Sequence, residues 1–177
     1  HLRSNVTVHG QGEKTVLRKN AMKKAAIIAA LGYGHYDLIV DTPNVFALGD
    51  GVLVRDDHAF GFYTTVSTLV GREGDTWFTS RPHTHDYTAL SHGVVETLFP
   101  VVSATDITDA ALEGLCIDGN KAENPARLTG CRGGGFFAIR SNRIAVRHVI
   151  VRDFHGDGFS FQTCDDMDIA HSTAREC

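Results

Sequence analysis

No apolar run in this chain approaches the length of a bilayer. The longest, residues 25–31, falls far short of the roughly 20 residues a spanning helix needs. There is no basic excess either. Lys and Arg number 17 against 21 Asp and Glu, for a net charge of −4, with 10 His. A nucleic-acid binder usually shows a basic face, so that class is set aside. The four cysteines, Cys116, Cys131, Cys164 and Cys177, include no CxxC pair, which excludes zinc-ribbon spacing. The leucine scaffold of a leucine-rich repeat is missing, as are the longer helical periods of tetratricopeptide and ankyrin arrays. What remains is a chain that is 42% hydrophobic with a mean hydropathy of −0.11. It is expected to be globular, with one sizeable core and room for a small inserted subdomain. Cys116 and Cys164 sit in apolar, strand-like segments and are expected as buried free thiols; connectivity of any disulfide stays open. The sequence stops inside a patterned segment, so it is expected to be a piece of a longer protein, with any leader upstream.

One phrase returns. GGGFFA at 133–138 recurs as GDGFSF at 156–161, an offset of 23 residues. At that offset Ala138 falls on Phe161, Ser141 on Cys164, Val146 on Ile169, Val149 on Ser172, Val151 on Ala174 and Phe154 on Cys177. Apolar or small residues thus recur at one phase, the mark of a stacked repeat. Within each copy the apolar residues alternate, as in 144–146, 149–151 and 159–161, which is strand spacing. Gly, Asn, Ser and Asp separate the runs and suit tight bends. Three short strands and three bends in 23 residues make one coil of a parallel β-helix. An earlier coil fits at an offset of 34, with Leu115-Cys116-Ile117 on Val149-Ile150-Val151. The 11 extra residues are assigned to a loop over 118–130.

Residues 1–35 are read as first coils, with a strand over 5–12 that ends in glycines and the next over 15–17; 25–30 is either a strand or a short helix. Residues 36–87 break the period. Short strands there are separated by turns at 41–44, 56–58 and 72–75, which predicts an inserted antiparallel β-subdomain. Residues 88–177 return to coils, cut at the C-terminal end, with 94–102 as the first returning strand. The fold class is therefore all-β: a right-handed parallel β-helix solenoid with a small antiparallel insert.

The run 112–177, with GLCIDGN, GCRGGGF, HGDGFSFQ and MDIAHSTA, resembles the right-handed parallel β-helix superfamily of pectate lyases and polygalacturonases, which also holds tailspikes and adhesins. In polygalacturonases a catalytic Asp lies in an Asn-Thr-Asp-Gly phrase entering a strand. Here Asp157 and Gly158 match it, whereas His155 and Gly156 replace the Asn and Thr. The resemblance implies a polysaccharide substrate and a secreted or periplasmic protein. A homo-oligomer, a trimer in particular, is admissible. Calcium is implied only if the chemistry is that of a lyase.

In-register stacking places side chains one coil apart at about 4.8 Å. Two stacked acids would then flank a glycosidic bond as acid and base. Asp157 is the candidate acid and His155 a candidate proton-transfer partner, and each also fits a plain bend residue. Asp153 is a further candidate catalytic residue, leaving its strand beside Arg152 toward the cleft or forming a surface ion pair with it. Gly134, below Asp157, is expected to leave room for a sugar ring. Arg152 is a candidate cleft residue or a surface ion pair. His148 and His171, at the 23-residue offset, should stack, as a structural ladder or as part of a groove. The phrase H-T-H-D at 83–86 offers transition-metal ligands but no third distant one. Phe60, Phe62, Tyr63, Trp77 and Phe78 are either sugar-stacking rings or the insert's own core. Two functions follow: a glycoside hydrolase or polysaccharide lyase, and a non-catalytic glycan-binding β-helix of adhesin or tailspike type.

Overall fold

The computed structural model describes residues 1–29, 31–58, 63–97, 100–125 and 134–177. Its strands are β1 (Thr7–His9), β2 (Val16–Arg18), β3 (Lys24–Ala26), β4 (Asp37–Ile39), β5 (Gly51–Arg55), β6 (Thr65–Glu73), β7 (Thr76–Thr79) and β8 (Val94–Thr97). They continue as β9 (Val102–Thr105), β10 (Thr108–Asp118), β11 (Phe136–Ile139), β12 (Asn142–Arg152), β13 (Phe159–Gln162), β14 (Asp165–Ala170) and β15 (Thr173–Arg175). Among the described residues the only helical pieces are 3-10 turns at Gly12–Lys14, Pro43–Val45 and Lys121–Glu123. None is long and apolar enough to cross a membrane. The architecture is all-β, with parallel and antiparallel sheets segregated into two compact units: His1–Ala21 with Phe99–Cys177, and Met22–Leu98.

The first unit is built by parallel stacking. β1 and β2 pair with β10, β10 with β12, and β12 with β14 and β15. A second parallel column runs β9, β11, β13. Both offsets legible in the chain are rung spacings. Leu115 lies on Val149 and Ile117 on Val151 at 34, while Phe136 lies on Phe159 and Ile144 on Met167 at 23. Alternation then sends one residue of each pair inward. Ala110, Leu112, Leu115 and Ile117 meet Ile144, Val146, Val149 and Val151 in one core with Phe136, Ala138 and Phe154. Each fully buried large side chain here contributes roughly 1.5–3 kcal/mol.

The recurring glycines have a packing cause. A Cβ on Gly135 would collide with Val151 and come within 2.9 Å of the Phe154 ring. One rung up, a Cβ on Gly158 would collide with Ala174 and lie 3.5 Å from Cys177 Sγ. The same bend thus closes over the same two positions, 16 and 19 residues on, in both copies. Gly119 admits the other side of Phe154, its added Cβ falling 2.7 Å from that ring.

The corners are columns of left-handed residues. Asp106, Arg140 and Thr163 form one, with φ of 55°, 46° and 50°. Asn5, Asp109, Arg143 and Asp166 form a second, Gly114, His148 and His171 a third, and Asp153 with Glu176 a fourth. Only Gly, Asn and Asp adopt this conformation readily. Arg140 and Arg143 are held in it with bidentate ion pairs to the rung below: Arg140 to Asp106 at 2.6 and 2.7 Å, Arg143 to Asp109 at 2.6 and 2.6 Å.

The second unit is one antiparallel path, β3-β8-β5-β6-β7-β4. Its core comprises Ala25, Ile27, Leu31, Leu38, Val40, Phe46, Val52, Val54, Leu69, Trp77, Tyr87 and Val95. The strands expected within 36–87 are present, and the turn at 72–75 closes the β6–β7 hairpin with Gly74 at φ +57°. Antiparallel pairing extends wider than that span. β3 is a strand, not a helix, and β8 joins it instead of the parallel stack. Charge explains the choice of partner. Lys24 stands opposite Glu96, and Arg55 grips the same carboxylate at 2.9 and 3.1 Å. Lys24 Nζ is 3.2 Å away, and Glu96 is fully buried. Opposite charges directly across a pair favour that register.

Phe154→Ala should lower unfolding free energy by about 3–5 kcal/mol in chemical denaturation, because the two glycines hold open a slot that would not collapse. Arg55→Ala should cost about 3 kcal/mol by the same measurement, since it strips a buried carboxylate of its bidentate partner. A change under about 0.5 kcal/mol in either variant would contradict the packing described.

Candidate binding face

β10, β12, β14 and β15 turn alternate residues outward, and stacking converts these into charged columns. One runs His9, Glu113, Arg147 and Ala170. Arg147 reaches down to Glu113 at 3.2 Å and sideways to Asp168 at 2.8 and 2.5 Å. Beyond the corner, Val16, Cys116, Ile150 and Thr173 form an uncharged column, and Arg18, Asp118, Arg152 and Arg175 the last.

This last column is the most unequal in charge. Asp118 is buried, accepts Arg152 Nε and Nη2 at 3.2 and 3.1 Å, and also accepts the Asn120 N–H at 2.9 Å. Arg18 donates to Asn120 Oδ1 at 2.7 Å. The hydrogen bond that Arg152 donates to Asp118 is the leading reason its guanidinium is held more firmly protonated than usual. Arg175, registered on Arg152, makes no side-chain hydrogen bond or ion pair among the described residues. Among the described residues the column therefore offers one unengaged guanidinium above one paired with Asp118 and lying 3.8 Å from Asp153. Cys116 lies beside it, buried and free, its thiol pushed up by that burial and so poorly nucleophilic. Cys164 is a half-buried free thiol, Cys177 an exposed one, and Cys131 lies outside the described residues.

The residues singled out from sequence fall in two groups. His148 and His171 stack, with ring centroids 4.9 Å apart and planes 7° from parallel. Both are exposed corner residues. Arg152 and Asp153 lie together, Nε to Oδ2 3.8 Å. His155 and Asp157 follow on the next bend, His155 half-buried and Asp157 exposed. Among the described residues no hydrogen bond or ion pair joins the side chains of Asp153, His155 and Asp157. Asp157 does sit over the Gly134–Gly135 rung, its carbonyl accepting the Gly135 N–H at 3.0 Å. That contact assigns Gly134 a different task from leaving space for a ring. The glycine is buried, and a Cβ there would stand 2.8 Å from the Asp157 carbonyl oxygen. The backbone above already fills the slot.

Arg175 was not singled out from sequence, although the repeat contains the signal: it lies 23 residues after Arg152. Asp118, 34 before Arg152, is legible in the same way. No three His, Cys, Asp or Glu among the described residues are placed to share a cation. In the 83–86 phrase, His83 is buried and donates Nε2–H to the Asp37 carbonyl at 2.7 Å, while Asp86 accepts the Tyr33 N–H at 2.7 Å. Trp77 is core, with Nε1 donating to the Pro43 carbonyl at 2.8 Å, whereas Tyr63 is exposed. Phe60 and Phe62 lie outside the described residues.

No family model matches this chain, and no curated protein matches it. Solved structures do. The chain is distantly similar in structure to phage tailspikes. The tailspike gp61 of Pseudomonas phage phi297 is matched at 11% identity and a TM-score of 0.40, over 93% of this chain and 29% of that one. The tailspike gp49 of Pseudomonas phage LKA1 is matched at 12% and 0.40, over 96% and 35%. The gp54 tailspike of Acinetobacter baumannii bacteriophage AP22, solved with A. baumannii capsular saccharide, is matched at 8% and 0.41, over 95% and 39%. The chain thus spans about a third of the length of these proteins.

Gly134→Ala should destabilise the first unit by about 1–3 kcal/mol, because its methyl group meets backbone that cannot swing aside. Denaturation of this variant beside Ala138→Gly, which removes a methyl from the neighbouring strand, separates the two effects. A Gly134→Ala protein as stable as the parent would return the slot to the open-groove reading.

Proposed function

We propose that this chain is a stretch of right-handed parallel β-helix that binds an anionic polysaccharide along the outward side of β12, β14 and β15. The observation that carries this reading is the unengaged Arg175 guanidinium directly above Arg152. A planar, permanently charged fork suits a carboxylate of a uronate or a similar acidic sugar. The stacked His148 and His171 present flat rings at the neighbouring corner, and His155, Asp157 and Asp153 border the face on the far bend. Repetition supports the reading too: a polymer with a regular repeat meets a surface whose groups recur with each rung. The acids on the face point the same way. Glu113, Asp168, Asp106 and Asp109 are engaged with arginines, which favours recognition over proton transfer.

Affinity electrophoresis through gels containing polygalacturonate, alginate or hyaluronan tests this. Retardation by at least one is expected, weakening as salt rises. Arg175→Ala, which breaks no side-chain hydrogen bond or ion pair among the described residues, should reduce affinity about tenfold. Equal mobility of parent and variant in every gel would sink the proposal. New reducing ends or unsaturated uronate absorbance, abolished by Asp157→Asn, would instead assign cleavage, with Asp157, His155 and Asp153 as the acting groups.

A further inference from the structure

Three of the four tyrosines lie exposed in the second unit, and two of them are held in one frame. Leu31 and Tyr87 exchange both backbone hydrogen bonds, at 2.8 and 2.9 Å. The segments they anchor run on side by side: Gly34 N–H donates to the His83 carbonyl at 2.9 Å, and His83 N–H to that of His35 at 2.8 Å. Between these contacts the chain makes a tight turn, His35 N–H to the Gly32 carbonyl at 3.1 Å, with Gly34 at φ +82°. That is the left-handed position a type II turn demands. Tyr33 occupies its apex, 73% exposed, with its N–H tied to Asp86 Oδ1.

Across the pair, the His85 ring lies 4.7 Å from the ring of Tyr63, which is 58% exposed. His85 Nδ1 is 3.0 Å from Thr84 Oγ1, and its ring meets the buried Tyr87 edge-on at 6.3 Å. Tyr87 is itself fixed, its hydroxyl 2.9 Å from Thr65 Oγ1, which is 3.0 Å from Thr84 Oγ1. The buried hydroxyl network fixes Tyr87 and Thr84, against which His85 rests, and His85 in turn holds the Tyr63 ring, which lowers the entropy that ring loses on binding. Tyr33 is positioned through its backbone N–H to Asp86.

We propose that Tyr33, His85 and Tyr63, with Asp86, form a binding site for a neutral hexopyranose, separate from the anionic-chain face of the first unit. The rings receive the C–H face of the sugar. Asp86 has its second oxygen unpartnered among the described residues and accepts hydrogen bonds from sugar hydroxyls. The same carboxylate repels a uronate, which sets the charge class of the ligand. The two surfaces therefore select sugars of opposite electrostatic character.

The full chain, applied to an array of neutral hexose oligosaccharides beside uronate oligosaccharides, tests the site. Binding to at least one neutral glycan is expected. Tyr33→Ala and Tyr63→Ala should each weaken it about tenfold, while Tyr33→Phe, which keeps the ring, retains it. Arg175→Ala should leave neutral binding unchanged, so loss of uronate binding alone does not touch this site. No neutral binding by the parent, or parental binding by both alanine variants with unchanged circular dichroism, overturns it.

Discussion

Parallel hydrogen bonding between successive rungs is the constraint on which the first unit depends. It holds β10, β12 and β14 in one register, so that every property of a residue is inherited by a vertical column. An inward position is apolar or small in each coil, and the serine above Val149 turns its hydroxyl to backbone groups, since an unpartnered polar group there would be costly. A bend position must turn left-handed in each coil, or the strands above and below lose their alignment. Even residues that dislike this conformation comply: Arg140, Arg143, His148 and His171 all have positive φ. The ladder on either side over-determines the bend, and local preference yields.

The same register disciplines charge. Arg140 over Asp106 and Arg143 over Asp109 place opposite signs in vertical contact, as does Arg147 over Glu113. Exposed pairs of this kind add little stability each. Their collective effect is on alignment, because a slip by one residue would turn the inward apolar set out to solvent. Where a column is not balanced, it has charge to spend on a ligand. The column holding Arg175 is the unbalanced one among the described residues, since Asp118 serves Arg152 from below and no described side chain forms an ion pair with Arg175.

The second unit solves a different problem. Its sheet is antiparallel, so each strand is specified by cross-strand pairs instead of by inheritance from a coil. Glu96 shows how strongly one pair can choose. Its buried carboxylate binds Lys24 and Arg55 on flanking strands and draws β8 into this sheet. The paired segments around residues 31–35 and 83–87 then bury Tyr87 in that core and leave Tyr33 exposed on the turn.

The chain alone determined its periodicities. The offsets of 23 and 34, the alternation of Ile144, Val146, Val149 and Val151, and the stacking of His148 on His171 all follow from one-dimensional spacing. Stacked rungs translate spacing directly into contact. Tertiary structure decided what spacing does not encode. A short alternating strand such as 94–97 reads the same whichever sheet it joins, and its tertiary partners select one: Lys24 and Arg55 for Glu96, and the core around Ala25 and Val54 for Val95. Gly134 reads as empty space until the Asp157 carbonyl is found 2.8 Å from where its Cβ would stand. The left-handed corners at arginine and histidine were invisible for the same reason: local preference argues against them, and only the neighbouring rungs hold them in place.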